Sequence, residues 1–321
     1  YGVVNQRSAQ QLRWSRVGVQ SGGVLMANAT KWLGKAVRGL RSFAYGPDGR
    51  PRPRVGLALG GGFARGIAHI GVIKALEEND IPIDFIGGTS VGALIAAAYA
   101  SGSSVAAMSH EGSGTRFKDF GRWTLSRMGM ASNDKLEDFL QRFTTARYFD
   151  EMKIPLTIVA VDLLAGESVH FTKGEIVPAL RASCAYPGLF LPVEYQGQIL
   201  VDGFLTETVP APAVRELGAD VVLSVYLEPG LPQSRPRNTI EVISRSFNII
   251  QAGATQTWRR ESDILIEPEV RNVLWDEFVK TPQMIEAGHA ATLSAMPQIR
   301  TLLTRSAGEA AAARRYRPSE D

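Results

Sequence analysis

Positions 156–161 read Leu-Thr-Ile-Val-Ala-Val, a run without charge and rich in β-branched side chains. A strand with one wet face alternates apolar and polar residues. This run does not, so it reads as the kind of strand that a parallel sheet buries on both faces. Two earlier stretches fit the same scheme. Val55–Leu59 and Phe85–Gly88 are short apolar runs, each followed by glycines and then by a helical pattern: Ile67, Ile70, Ile73 and Leu76 after the first, the Ala-rich Val91–Ala100 after the second. Gln198–Val201 and Val221–Tyr226 read as further strands with a helix, Ala211–Leu217, between them. Ile240–Arg260 and Pro282–Leu303 read as late helices. Strands alternating with helices argue for a layered α/β domain.

Composition narrows the class further. With 45% apolar and 21% charged residues, the 321-residue chain is neither disordered nor short of core material. The longest uncharged stretch, Phe85–Ser109, holds four glycines and six Ser/Thr, so no run of about 20 apolar residues offers a membrane-spanning helix. A single cysteine, Cys184, excludes an internal disulfide framework and a multi-cysteine zinc site, and it reads as a small buried residue.

Charge divides the chain at residue 54. Residues 1–54 hold ten Lys/Arg and one acid, a net +9, and residues 55–321 carry a net −6. The body has no basic stripe interleaved with aromatics, so nucleic acid is not an expected partner. The basic arm is another matter. No methionine opens the chain before Met26, and residues 1–25 read either as sequence upstream of a start there, the preferred reading, or as a targeting segment. Within Thr30–Phe43, Trp32, Leu33, Ala36, Val37, Leu40 and Phe43 share one helical face, with Lys31, Lys35, Arg38 and Arg41 around the rest. Such a helix can lie on an anionic membrane or pack on the body. The expected organisation is a basic arm and linker over 1–54, a folded domain over 55–305 and a loose tail over 306–321. The expected location is cytoplasmic or peripheral to a membrane. Residues 103–133, rich in Gly, Ser and Met, read as a mobile cap over a site.

Three segments carry chemistry. Gly88-Thr89-Ser90-Val91-Gly92 is a G-x-S-x-G match between an apolar strand and an uncharged helix, the setting in which a serine hydroxyl is exposed at a helix N-terminus. Gly60-Gly61-Gly62-Phe63-Ala64-Arg65-Gly66 lies between the first strand and its helix, where backbone N–H groups can face an anion. It lacks the Gly-Lys-Ser/Thr ending of a phosphate loop, and Asp80 and Asp84 precede the next strand instead of ending it, as a dinucleotide site requires. A plain strand-to-helix turn and an oxyanion hole, which an acyl-transfer Ser90 would need, stay open. The third segment is Asp202-Gly203, an acid at a strand end. None of His69, His110, His170 and His289 falls in a loop after a late strand, so a desolvated carboxylate is the available base, with Asp162 as the rival to Asp202.

Taken together and in this order, these segments resemble the patatin-like phospholipase family, and within it the bacterial branch related to the neuropathy target esterase catalytic domain. Further matches are the run Arg65 to Val72, Asp162 after its strand, and the stretch from Arg181-Ala182-Ser183 through Pro187-Gly188 to Phe190-Leu191-Pro192; the resemblance covers roughly Val55 to Pro268. It implies a three-layer α/β/α domain with a mainly parallel central sheet, and a lipid acyl hydrolase with a Ser–Asp dyad that uses neither metal nor cofactor. Ser90 would be the nucleophile and Asp202 the general base. Amides of Gly60, Gly61, Gly62 and Phe63 would form the oxyanion hole. Gly66, Gly88, Gly92 and Gly203 would shape the turns, and Arg65 would act electrostatically or simply form an ion pair. The implied substrate is a phospholipid or lysophospholipid. A lipid-binding protein with little turnover is the alternative on the same fold, and a nucleotide-binding enzyme a distant third. Two positions depart from the family pattern: Phe63 stands where its third loop glycine falls, and Phe204 where the family usually has Gly or Ala two positions past the acid.

Overall fold

The computed structural model describes residues 52–304, apart from 125, 143–145, 231–233, 254–256 and 275. Nearly all of the basic arm, including the stretch 30–43, lies outside these residues, as does the tail 306–321. The main sheet has eight strands: β1 (Val55–Leu59), β2 (Phe85–Thr89), β3 (Leu156–Asp162), β4 (Glu167–Phe171), β5 (Val193–Tyr195), β6 (Gln198–Asp202), β7 (Val221–Val225) and β8 (Ile264–Ile266). The helices are α1 (Ala68–Glu78), α2 (Val91–Ser101), α3 (Val105–Gly114), α4 (Leu136–Leu140), α5 (Ile176–Ser183), α6 (Ala211–Glu216), α7 (Thr239–Gly253) and α8 (Thr281–Leu303). Across the sheet the order is β8-β7-β1-β2-β3-β6-β5, with β4 also paired to β3. The first five of these are mutually parallel, whereas β4 and β6 run antiparallel to β3, and β5 antiparallel to β6.

The period-2 alternation of the strands sorts side chains into two cores. Val55, Leu57 and Leu59 of β1 join the large core under α1, α2 and α8, while Ala58 joins a smaller one with Val214 of α6 and Trp258. The layers are therefore α/β/α, one helical layer thick and the other thin. Two segments differ from expectation. α7 is described over Thr239–Gly253, and Thr257–Glu261, expected as its continuation, is a 3-10 turn. The patternless 103–133 contains α3, whose N-terminus is capped by Ser104 Oγ accepting the Ala107 N–H at 3.2 Å. Its helical signal is weak because Gly112 and Gly114 interrupt it and only Met108 and Gly112 are buried.

One feature of the register places the site. Ile158 and Val159 of β3 pair with both β4 and β2, and residues 160–162 pair with both β4 and β6. A strand has two edges, so β2 and β6 must share the edge opposite β4. They meet on it C-terminal end to C-terminal end: Thr89 lies opposite Val159 and Asp202 opposite Ala160, its neighbour. Among the described residues no helix is long and apolar enough to cross a membrane.

Candidate active site

Ser90 follows β2 and opens α2 with φ 56° and ψ −126°, a left-handed conformation that a residue with a side chain adopts only under constraint. The constraint is close packing around the turn. A Cβ at Gly92 would stand 2.1 Å from the Leu59 carbonyl oxygen, and one at Gly88 2.3 Å from the Ala93 nitrogen. Glycine at both positions lets strand, turn and helix close on each other. Gly66 does the same against Val91, and Gly203 against the Val159 carbonyl. The Ser90 N–H donates to Ser183 Oγ at 2.8 Å, which leaves its hydroxyl to point toward β6.

There Ser90 Oγ donates to Asp202 Oδ2 at 2.7 Å. Asp202 is fully buried, and its other oxygen accepts the Phe204 N–H at 3.0 Å. Burial pushes its carboxyl up to about 7, against the opposing pull of these two hydrogen bonds. Asp162 sits differently: it accepts N–H groups of Leu164 and Ala165 and the Gln198 side chain, bonds that hold its carboxyl below the usual range and tie it to the β3–β4 turn. The histidines are also occupied elsewhere. His69 is fully buried, its ring 2.8 Å from the Gly60 carbonyl oxygen, and desolvation pushes it down to about 4, so it is neutral and donates to that oxygen. His170 pairs with Glu207 at 2.6 Å; that hydrogen bond raises it to about 9. His110 is exposed on α3, and His289 pairs with Glu78.

The glycine loop needs a correction. The Gly60 N–H donates to the Val225 carbonyl at 3.1 Å and the Gly61 N–H to that of Thr208 at 3.0 Å. These two amides anchor the loop to neighbouring chain and do not serve an oxyanion. Gly62 N–H donates to no protein acceptor among the described residues, and Gly62 and Phe63 line one small pocket with Ser90 and Asp202. Phe63 takes φ 53°, a conformation glycine would adopt without cost. Its ring packs edge-on against Tyr186, centroids 4.8 Å apart, and Phe204 packs on the same Tyr186 at 5.5 Å. Phe247 of α7 closes the group, 5.7 Å from Tyr186 and 5.9 Å from Phe204. The two departures from the family pattern are thus one feature, an aromatic cluster around the dyad that helps to exclude water.

On the other side of Phe63 and Ser90 a narrow cavity of about 90 Å³ runs among Leu94, Met108, Leu136, Phe139 and Phe190. Cys184 is half-buried on its wall, with burial pushing its thiol well up. Residues 103–133 contribute Met108 and Phe120 to the cavity wall. The sequence reading assigned no role to Ser183, His69 or Glu207. Ser183 and His69 lie in segments similar to the family's, but Ser183 acts by fixing the Ser90 amide and His69 by fixing the Gly60 carbonyl. Glu207 holds Thr89 Oγ1 through its backbone oxygen at 2.9 Å.

A strained serine on a strand–turn–helix elbow, bonded to a buried carboxylate beside a glycine turn, is the arrangement that the patatin-like resemblance implies. Residues 57–215 match the patatin-like phospholipase family, so the chain carries a domain of that family. An uncharacterized NTE family protein of Mycobacterium tuberculosis is 35% identical over 194 residues, 56% of this chain and 50% of that protein. A second from the same organism is 27% identical over 271 residues, 75% of this chain and 46% of that protein. Lysophospholipase nte1 of Aspergillus fumigatus is 34% identical over 193 residues, 53% of this chain and 12% of that protein. The chain thus spans about half the length, or less, of the relatives it matches.

Proposed function

We propose that this protein hydrolyses the carboxylic esters of phospholipids or lysophospholipids through a Ser90–Asp202 dyad. The observation that carries the reading is the 2.7 Å hydrogen bond from Ser90 Oγ to a carboxylate that burial has raised to about 7, near the pH at which a general base is most effective. Asp202 takes the Ser90 proton as Oγ bonds to the ester carbonyl carbon, and the carbonyl oxygen becomes an anion. The amides of the Gly62–Phe63 turn stabilise that anion. Collapse breaks the bond to the alcohol, which leaves with the proton from Asp202. Water, deprotonated by Asp202, then attacks the acyl-serine, and the fatty acid departs as the proton returns to Ser90. The apolar cavity beside Ser90 suits the acyl chain, and the similarity to a protein named a lysophospholipase supports a lipid ester as substrate.

The test is fatty-acid release from a monoacyl glycerophospholipid. Ser90→Ala should reduce turnover to background, and Asp202→Asn should lower kcat by about 10²–10⁴-fold. Turnover that persists in Ser90→Ala would refute the assignment.

A further inference from the structure

The pocket that holds Ser90 and Asp202 does not end at the dyad. Through Arg65, Ser244 and Asn248 it continues into a second, wider pocket of about 430 Å³ between α7 and the chain after β8. Four arginines line that pocket, Arg65, Arg237, Arg245 and Arg271, against one carboxylate, Glu241. Glu241 is engaged by Arg237 at 2.6 Å and reaches Arg245 at 3.7 Å. Arg271 pairs at the rim with Glu228, and Asp276 acts on Arg237 from outside. Residues 231–233, which border the pocket in sequence, are Leu, Pro and Gln and add no charge. The guanidinium of Arg65 has no carboxylate within ion-pair distance among the described residues; its Nε donates to the Gly62 carbonyl at 3.2 Å. Burial pushes it down to about 10, so it remains a cation at neutral pH, held at the seam between the two pockets. The pocket therefore keeps a net positive charge.

Three compartments thus follow one another: the apolar cavity, the dyad, and the arginine pocket. Ser90 and Phe63 join the first two, and Arg65 joins the last two. An ester whose carbonyl meets Ser90 would place its acyl chain in the first and the substituent on its alcohol in the third. We propose that the arginine pocket receives the phosphate of a lipid head group that carries no compensating cation, so that the protein selects anionic over zwitterionic phospholipids. Guanidinium groups favour this ligand because they offer paired donors to phosphate oxygens, and the wide pocket can admit a hydrated head group. The inference rests on the reading of Ser90 as nucleophile, since that sets which end of the substrate lies where.

The wild-type protein should hydrolyse 1-oleoyl lysophosphatidate about tenfold more efficiently, in kcat/KM, than 1-oleoyl lysophosphatidylcholine. Arg245→Gln and Arg271→Gln should each bring that ratio toward one by loss on the anionic lipid; Arg271, largely exposed, can be replaced without harm to the fold. Equilibrium binding of the two lipids to Ser90→Ala reads the same preference without turnover. Binding preference for the anionic lipid in a protein that hydrolyses neither would overturn the proposed activity and uphold the pocket. Equal efficiency and equal binding for both lipids, or a preference unmoved by both arginine variants, would overturn the pocket. Inhibition by inorganic phosphate without any preference between the lipids would mark a free-phosphate site and overturn the head-group assignment.

Discussion

Phe63 shows how a single residue sets terms for its surroundings. Its φ of 53° places a β-carbon where the left-handed region costs roughly 1–2 kcal/mol, and its ring recovers part of that against Tyr186. The two effects can be separated. Phe63→Ala keeps the backbone cost and loses the ring contact, whereas Phe63→Gly loses both together. Thermal unfolding should therefore find Phe63→Gly more stable than Phe63→Ala, the reverse of the order expected at most positions. An Ala variant as stable as the Gly variant, or more so, would contradict a strained loop. Asp202 carries a comparable tension. Its carboxyl is raised to about 7, so the folded protein binds this proton more tightly than the unfolded chain, and stability from it is lost as pH rises through 7. The ionised form that a general base requires is thus the form that the fold accommodates less well.

At the scale of elements, the site depends on β2 and β6 meeting head to head on one edge of β3. That meeting brings together Ser90 and Asp202 across 112 positions of sequence. The short strands β4, β5 and β8 and the helices α3, α4 and α5 were not legible in the sequence. The strands β1, β2, β3, β6 and β7 and the helices α1, α2, α6, α7 and α8 were legible, because short apolar runs, glycine turns and apolar helix faces are local signals. So were Ser90 and Asp202, each at the end of its strand. The reversal of β6 against β3 was not legible, since antiparallel pairing between distant segments leaves no local mark. For the same reason the sequence could not tell which loop amides are already taken: the acceptors for Gly60 and Gly61 belong to Val225 and Thr208. Helix packing hides its logic in similar fashion. α1 and α8 cross with Gly71 and Gly288 facing each other's backbone; a Cβ at Gly288 would lie 1.9 Å from the Ala68 oxygen, and one at Gly71 1.8 Å from that of Ile285. Gly288→Ala should force the helices apart and cost about 1–3 kcal/mol, read from the urea midpoint at unchanged slope. A midpoint equal to wild type would show that the crossing has slack.

Across the whole molecule, polarity is graded along one path. Apolar side chains from α2 to α4 form one end, the dyad and its aromatic cluster the middle, and the arginines around α7 the other end. The body's net negative charge makes this local positive pocket a specific feature and not part of a general basic field. All of it presupposes an activated serine, and a fluorophosphonate probe tests that most directly. Labelling of wild type, Ser90→Ala and Asp202→Asn would be followed by peptide mass spectrometry from pH 5.5 to 8.5. Asp202 accepts a proton only when ionised, so the adduct should form on Ser90 at a rate that rises with pH through a midpoint near 7, vanish in Ser90→Ala and fall sharply in Asp202→Asn. An adduct elsewhere, or a Ser90 rate indifferent to both pH and Asp202, would contradict the dyad.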